Sequence, residues 1–89
     1  MSDVTLTVAG KVVPLPTIRR SDTGEAVRLA QKILIFTGFL PFGEADGIFG
    51  PKTEQAVKNY QRNRVLIMDG IVGPQTWAKL TNDIPEGCC

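Results

Sequence analysis

The segment Asp46-Gly47-Ile48-Phe49-Gly50-Pro51-Lys52-Thr53 recurs 23 residues later as Asp69-Gly70-Ile71-Val72-Gly73-Pro74-Gln75-Thr76, with six of the eight positions identical. Self-similarity at a fixed offset points to a repeated supersecondary unit. Each part of the unit has a physical meaning. Asp-Gly makes a turn, because glycine reaches positive φ without steric cost. Gly-Pro starts a helix: glycine is tolerated at the N-cap, and proline at the first helical position lacks only an N–H that would have no partner there. Each copy therefore reads as a turn, an apolar residue and a helix start. In a chain of 89 residues, two such copies leave room for one domain with a small core.

The residues after each Gly-Pro continue the pattern. Ala56, Val57 and Tyr60 form an apolar stripe, with Lys52, Gln55, Lys58 and Asn59 facing outward, which predicts a helix from Pro51 to Arg62 or Asn63. Trp77, Ala78 and Leu80 predict a shorter helix from Pro74 to Thr81 or Asn82, beyond which Pro85 and Gly87 mark a frayed end. Upstream, Val27, Leu29, Ala30, Ile33, Leu34 and Phe36 give a wide apolar face to a helix over about 24–37. Asp22 with Glu25 resembles a capping box at its start, and Gly38 suits a left-handed exit. In the first seventeen residues, Val4, Leu6 and Val8 alternate with Thr5 and Thr7 before Lys11-Val12-Val13, a β-hairpin pattern closed by Pro14 and Pro16. The expected fold is mainly α: a compact three-helix bundle with a repeated Asp-Gly turn/helix unit and a short N-terminal β-hairpin. Its organisation is an extension over 1–17, the helical domain over 18–81 and a tail over 82–89.

Composition removes many functions. The chain has no His, the usual general base at neutral pH and the commonest metal ligand. Ten Lys+Arg against nine Asp+Glu leave a net charge of +1, so no general field draws nucleic acid or an anionic membrane. Cys88 and Cys89, the final two residues, offer no disulfide staple and no zinc spacing. Met1-Ser2-Asp3-Val4 lacks the charged and apolar regions of a signal peptide, so the expectation is a chain without its own export address; no apolar stretch reaches the ~18 residues of a membrane span. No cofactor is expected, and the compartment stays unknown.

With these elements in place, the chain resembles the bacterial peptidoglycan-binding domain of the three-helix type, the module attached to cell-wall hydrolases. Gly24, Val27, Gln31 and Leu34 match the first-helix pattern, with Ala30 where the family favours Leu. Gly38-Phe39-Leu40 and Asp46 to Gly50 match the first loop. Pro51, Thr53, Ala56, Val57, Tyr60 and Gln61 match the second helix, and Asp69 to Leu80, with Trp77, the last unit. The family often has Gly near position 65 and Pro near 67. Val65 and Ile67 stand there instead, so the second helix is expected to end differently, through Asn63. Ser21-Asp22 replaces a common Gly-Ser pair.

The resemblance implies a non-catalytic module that tethers a protein to the cell wall, with the glycan or stem peptide of peptidoglycan and a cell-wall hydrolase as partners. A rival reading is a protein-interaction or propeptide-like domain that reuses the fold without binding glycan. A DNA binder is disfavoured by the charge balance, although Arg19, Arg20, Lys58, Arg62 and Arg64 are basic. Phe49, Val72 and Trp77 are expected in the core. Asp46 and Asp69 can each close their own turn, or accept hydrogen bonds from sugar hydroxyl or acetamido groups. They form neither a hydrolytic pair nor a calcium loop. The expected ligand-binding residues are Asp46, Ile48, Tyr60, Arg62, Asn63, Arg64 and Asp69, with arginine suited to stem carboxylates.

Overall fold

The computed structural model describes residues 4–8 and 11–83. It is mainly helical, with α1 at Glu25–Phe36, α2 at Pro51–Asn63 and α3 at Pro74–Asn82. Two strands precede them, β1 at Val4–Val8 and β2 at Lys11–Leu15, paired antiparallel with Val4 opposite Leu15 and Val8 opposite Lys11. The turn expected at residues 9–10 lies outside the described residues, as do Pro85, Gly87, Cys88 and Cys89.

Gly50 and Gly73 are the N-caps of α2 and α3, each with Pro in the first turn and neither with a side-chain cap. Helix α1 starts differently from expectation. Its N-cap is Gly24, with φ 124° and no side-chain hydrogen bond. Asp22 is engaged elsewhere, because its Oδ2 accepts from the Arg19 N–H at 2.9 Å and closes the preceding turn. The capping box does not form because the helix starts after Gly24, two residues beyond Asp22.

The ends of α1 and α2 share one geometry. At α1, the Gly38 N–H donates to Ile35 O at 3.1 Å and the Phe39 N–H to Leu34 O at 2.8 Å, with Gly38 at φ 88°. At α2, the Val65 N–H donates to Arg62 O at 3.2 Å and the Leu66 N–H to Gln61 O at 2.8 Å. Both are Schellman exits. The expectation of a different exit through Asn63 is therefore overturned: Val65 itself takes the left-handed position, at φ 60°. That is a costly conformation for a β-branched residue. Ser21, also where the family favours glycine, is likewise left-handed, at φ 81°.

Helix α1 packs against both α2 and α3. Val27, Ala30 and Leu34 meet Val57, Tyr60, Trp77 and Leu80 in one buried cluster, and Phe49 and Val72 join it from the two repeated segments. Burying each large side chain contributes about 2–3 kcal/mol. Trp77 also has its polar edge satisfied, since Nε1 donates to Pro16 O at 2.7 Å. Two residues depart from the predicted stripes: Phe36 is 62% exposed, and Ala78 faces solvent.

The strip from Ile18 to Gly24 ties the two turns together. Ile18 and Val72 exchange backbone hydrogen bonds at 3.1 and 2.9 Å. Ser21 N–H donates to Phe49 O, and Phe49 N–H to Asp22 O, both at 2.9 Å. One short non-helical segment, with a turn at Arg19–Asp22, thus holds the apolar residue of each copy in the core.

Candidate functional site

Each Asp-Gly turn is built around a glutamine buried in the preceding helix. Gln31 Nε2 donates to Asp46 Oδ1 at 3.1 Å, Ile48 O at 3.0 Å and Thr53 Oγ1 at 2.9 Å. Its Oε1 accepts from the Gly47 N–H at 2.8 Å. Gln61 repeats the set in the second turn. Its Nε2 donates to Asp69 Oδ1 at 2.9 Å, Ile71 O at 3.0 Å and Thr76 Oγ1 at 3.0 Å, and its Oε1 accepts from Gly70 N–H at 3.0 Å. A buried polar group must find partners or lose more than 1 kcal/mol. These two glutamines are fully satisfied because the turns wrap around them. The glycines are required here: Gly47 and Gly70 have φ of 79° and 73°, and a Cβ at Gly70 would stand 3.1 Å from Glu54 Cγ and Lys58 Cε.

Asp46 and Asp69 close their own turns. The Ile48 N–H donates to Asp46 Oδ1, and the Ile71 N–H to Asp69 Oδ1, each at 3.0 Å. The Ile48 N–H, and next the Gln31 amide, hold the Asp46 carboxyl below its ordinary value of 3.8. Both aspartates are exposed, and Ile48 is 55% exposed beside the first turn.

The remaining expected ligand residues sit at the end of α2. Tyr60 corrects the expectation: it is fully buried, so it cannot floor a surface groove. Its hydroxyl donates to Asp83 Oδ2 at 2.5 Å, and burial, with Asp83 beside it, pushes the phenol's pKa far up. Arg64 donates through Nε and Nη2 to the same Asp83 oxygen at 3.2 and 2.9 Å, and through Nη1 to Asn63 Oδ1. Its guanidinium lies 4.8 Å from the Tyr60 ring centroid and 5.9 Å from that of Phe39. The Asp83 hydrogen bond raises the Arg64 pKa further. Arg64 therefore works as a strut between α2 and the end of α3, its fork already filled. Asn63 and Arg62 are exposed.

The expected residues thus fall into three groups, namely Asp46 with Ile48, Asp69 by itself at the second turn, and Tyr60, Arg62, Asn63 and Arg64 at the end of α2. No hydrogen bond links these groups among the described residues. Of the basic residues, Arg20 is paired with Glu54 at 3.0 Å and Arg64 with Asp83 at 2.9 Å. Sequence reasoning gave Gln31 and Gln61 no role beyond matching a pattern. A lone glutamine on an otherwise apolar helix face, 15 or 8 residues before an Asp-Gly turn, is the signal that marks them. Asp83 carried no such signal.

The second turn also borders a concavity of about 390 Å³, walled by Leu66, Ile67, Ile71 and Pro74 with Asp69 and Gln75 beside them. Among the described residues, no cluster of His, Cys, Asp and Glu suits a metal ion, and no helix is long and apolar enough to cross a membrane.

Residues 23–80 match the family described as "Putative peptidoglycan binding domain". The chain is 42% identical over 60 residues to the N-acetylmuramoyl-L-alanine amidase CwlL of Bacillus licheniformis, covering 66% of this chain and 17% of that one. It is 35% identical over 80 residues to a spore cortex-lytic enzyme of Halalkalibacterium halodurans, covering 90% of this chain and 24% of that one. The chain thus spans about a quarter or less of these two enzymes. Among solved structures it is similar to the SleB N-terminal domain, at 35% identity and a TM-score of 0.72, over 76% of this chain and 92% of that one. The matched region holds α1, α2, α3 up to Leu80 and both glutamine-centred turns, and the chain belongs to the peptidoglycan-binding domain family.

Proposed function

We propose that this domain binds peptidoglycan without catalysing a reaction on it, and so holds an attached or associated protein at the bacterial cell wall. The observation that carries the reading is the pair of glutamine-centred Asp-Gly turns inside a family match over residues 23–80. The carboxylate chemistry supports a binding role. Asp46 is held ionised by donors to its Oδ1, so at neutral pH it has no proton to give a leaving group. The relatives' names, an amidase and a cortex-lytic enzyme, make a cell-wall hydrolase the natural partner, with this domain corresponding to a fraction of such a protein.

The binding unit in this reading runs from 18 to Asp83 and does not stop at 81, because α3 continues to Asn82 and Asp83 holds Tyr60 and Arg64; β1 and β2 form a short hairpin arm before it. The repeat is a structural device that presents two similar turns. Contacts to the wall come from the exposed members of the expected set: Asp46, Ile48, Arg62, Asn63 and Asp69. One small surface binds weakly, so firm localisation depends on several modules or on a linked domain.

Sedimentation with insoluble peptidoglycan sacculi tests this. The chain is expected to pellet with sacculi and to stay in solution without them. Recovery wholly in the supernatant at low salt would overturn the proposal.

A further inference from the structure

The two copies of the repeat share their internal hydrogen bonds but differ at one pair of surface positions. In the first copy these are Glu44 and Lys52, joined by an ion pair at 3.4 Å. The same 23-residue offset leads to Ile67 and Gln75 in the second copy. No ion pair can form there, and both residues line the 390 Å³ concavity. That volume lies within the range of small-ligand pockets.

The lining indicates the ligand class. Leu66, Ile67, Ile71 and Pro74 offer an apolar surface, and Ile67 is 75% exposed. Gln75 is exposed and can both donate and accept. Asp69 is the one ionisable residue of the lining. Its Oδ1 is committed to Gln61 and Ile71, while its Oδ2 has no hydrogen bond among the described residues. A carboxylate ligand would meet like charge at Asp69 and find no cation among the lining residues. A neutral sugar would set its C–H face on the aliphatic wall, and its hydroxyl or acetamido N–H groups would donate to Asp69 Oδ2.

We infer that the groove beside the second Asp-Gly turn is a subsite for an uncharged N-acetylated sugar, and that the Glu44–Lys52 pair excludes the first turn from this role. The inference rests on the wall-binding reading and narrows it to glycan over stem peptide, and to one copy over two.

The test exchanges the two surfaces. The double variant Ile67→Glu/Gln75→Lys writes the first copy's pair into the second, and Glu44→Ile/Lys52→Gln does the reverse. In sedimentation with sacculi, the first variant is expected to lose at least tenfold in affinity and the second, freed of the excluding pair, to bind more tightly than wild type. Gln75→Glu alone, an exposed change in the first turn of α3, is expected to weaken binding severalfold with no loss of helix by circular dichroism. It keeps the test decisive should the double variant fail to fold. In NMR titrations of the whole chain, a β-1,4-linked N-acetylglucosamine tetramer should shift the amides of Ile67, Ile71 and Gln75, and a stem peptide with free carboxylates should not. Folded Ile67→Glu/Gln75→Lys or Gln75→Glu protein that binds sacculi like wild type would overturn the groove while leaving wall binding intact. Groove shifts with the peptide and none with the tetramer would overturn the ligand class. A wild-type chain that ignores sacculi would remove the wall-binding reading itself.

Discussion

The molecule contains one device twice, a helix carrying a buried glutamine, a Schellman exit, and an Asp-Gly turn that wraps back over the glutamine. The two versions agree inside and diverge outside. Inside, Gln31 and Gln61 each bond the equivalent aspartate, isoleucine carbonyl, threonine hydroxyl and glycine N–H. Outside, α1 continues five residues beyond Gln31 and exits through Gly38, whereas α2 continues two beyond Gln61 and exits through Val65. The first turn carries an ion pair where the second carries Ile67 and Gln75. The agreement shows what the fold needs, since a buried amide left without partners is costly. The divergence shows where the surface is free to change.

The sharpest way to break the internal equivalence is to remove each glutamine. Gln31→Leu and Gln61→Leu should each destabilise by about 3 kcal/mol or more, because each strands a buried glycine N–H and a buried threonine hydroxyl. Urea unfolding of the two variants checks this, and losses differing by more than about 1 kcal/mol would show that the copies are not equivalent. The exits come next. Gly38→Val should cost about 1–2 kcal/mol from the left-handed conformation alone, since a Cβ there meets nothing within 4 Å. Val65→Gly should stabilise by about 1 kcal/mol, the relieved strain being partly offset by glycine's greater freedom in the unfolded chain. A Val65→Gly variant no more stable than wild type would mean that the exposed valine carries a compensating contact.

The smallest effect is on acid sensitivity. Asp46 has a folded pKa below its ordinary value of 3.8. Its stabilisation is therefore fully present above pH 3.8 and is lost as pH falls through the lower folded value. Asp46→Asn keeps an oxygen acceptor and does not titrate. Its urea midpoint should fall less than that of wild type between pH 5 and about pH 2, and parallel curves would remove Asp46 from the account.

Much of the fold was legible in the sequence because its signals are local. Gly50-Pro51 and Gly73-Pro74 mark the starts of α2 and α3, and the apolar spacing around Val57, Trp77 and Leu80 marks their buried faces. Local signals also misled. Asp22 and Glu25 have capping-box spacing, yet Asp22 closes an earlier turn. Val65 lacks glycine's freedom, yet the main-chain hydrogen bonds at Arg62 and Gln61 hold it left-handed. The candidate site was less legible. Tyr60 and Arg64 look available in a list of residues, but Asp83, 23 and 19 positions away, takes the phenol and the guanidinium.

The sequence by itself determined the repeated unit, the starts of α2 and α3 and the family, because turns and caps depend on residues within a few positions of one another. Tertiary structure decided which polar groups remain available. Among the described residues, Asp46 and Asp69 each keep one oxygen without a partner, Arg64 is consumed by Asp83, and a salt bridge crosses the first turn where the second lies open. The reason is that a side chain's availability is set by every donor, acceptor and wall that folding brings within reach, and most of those come from distant parts of the chain.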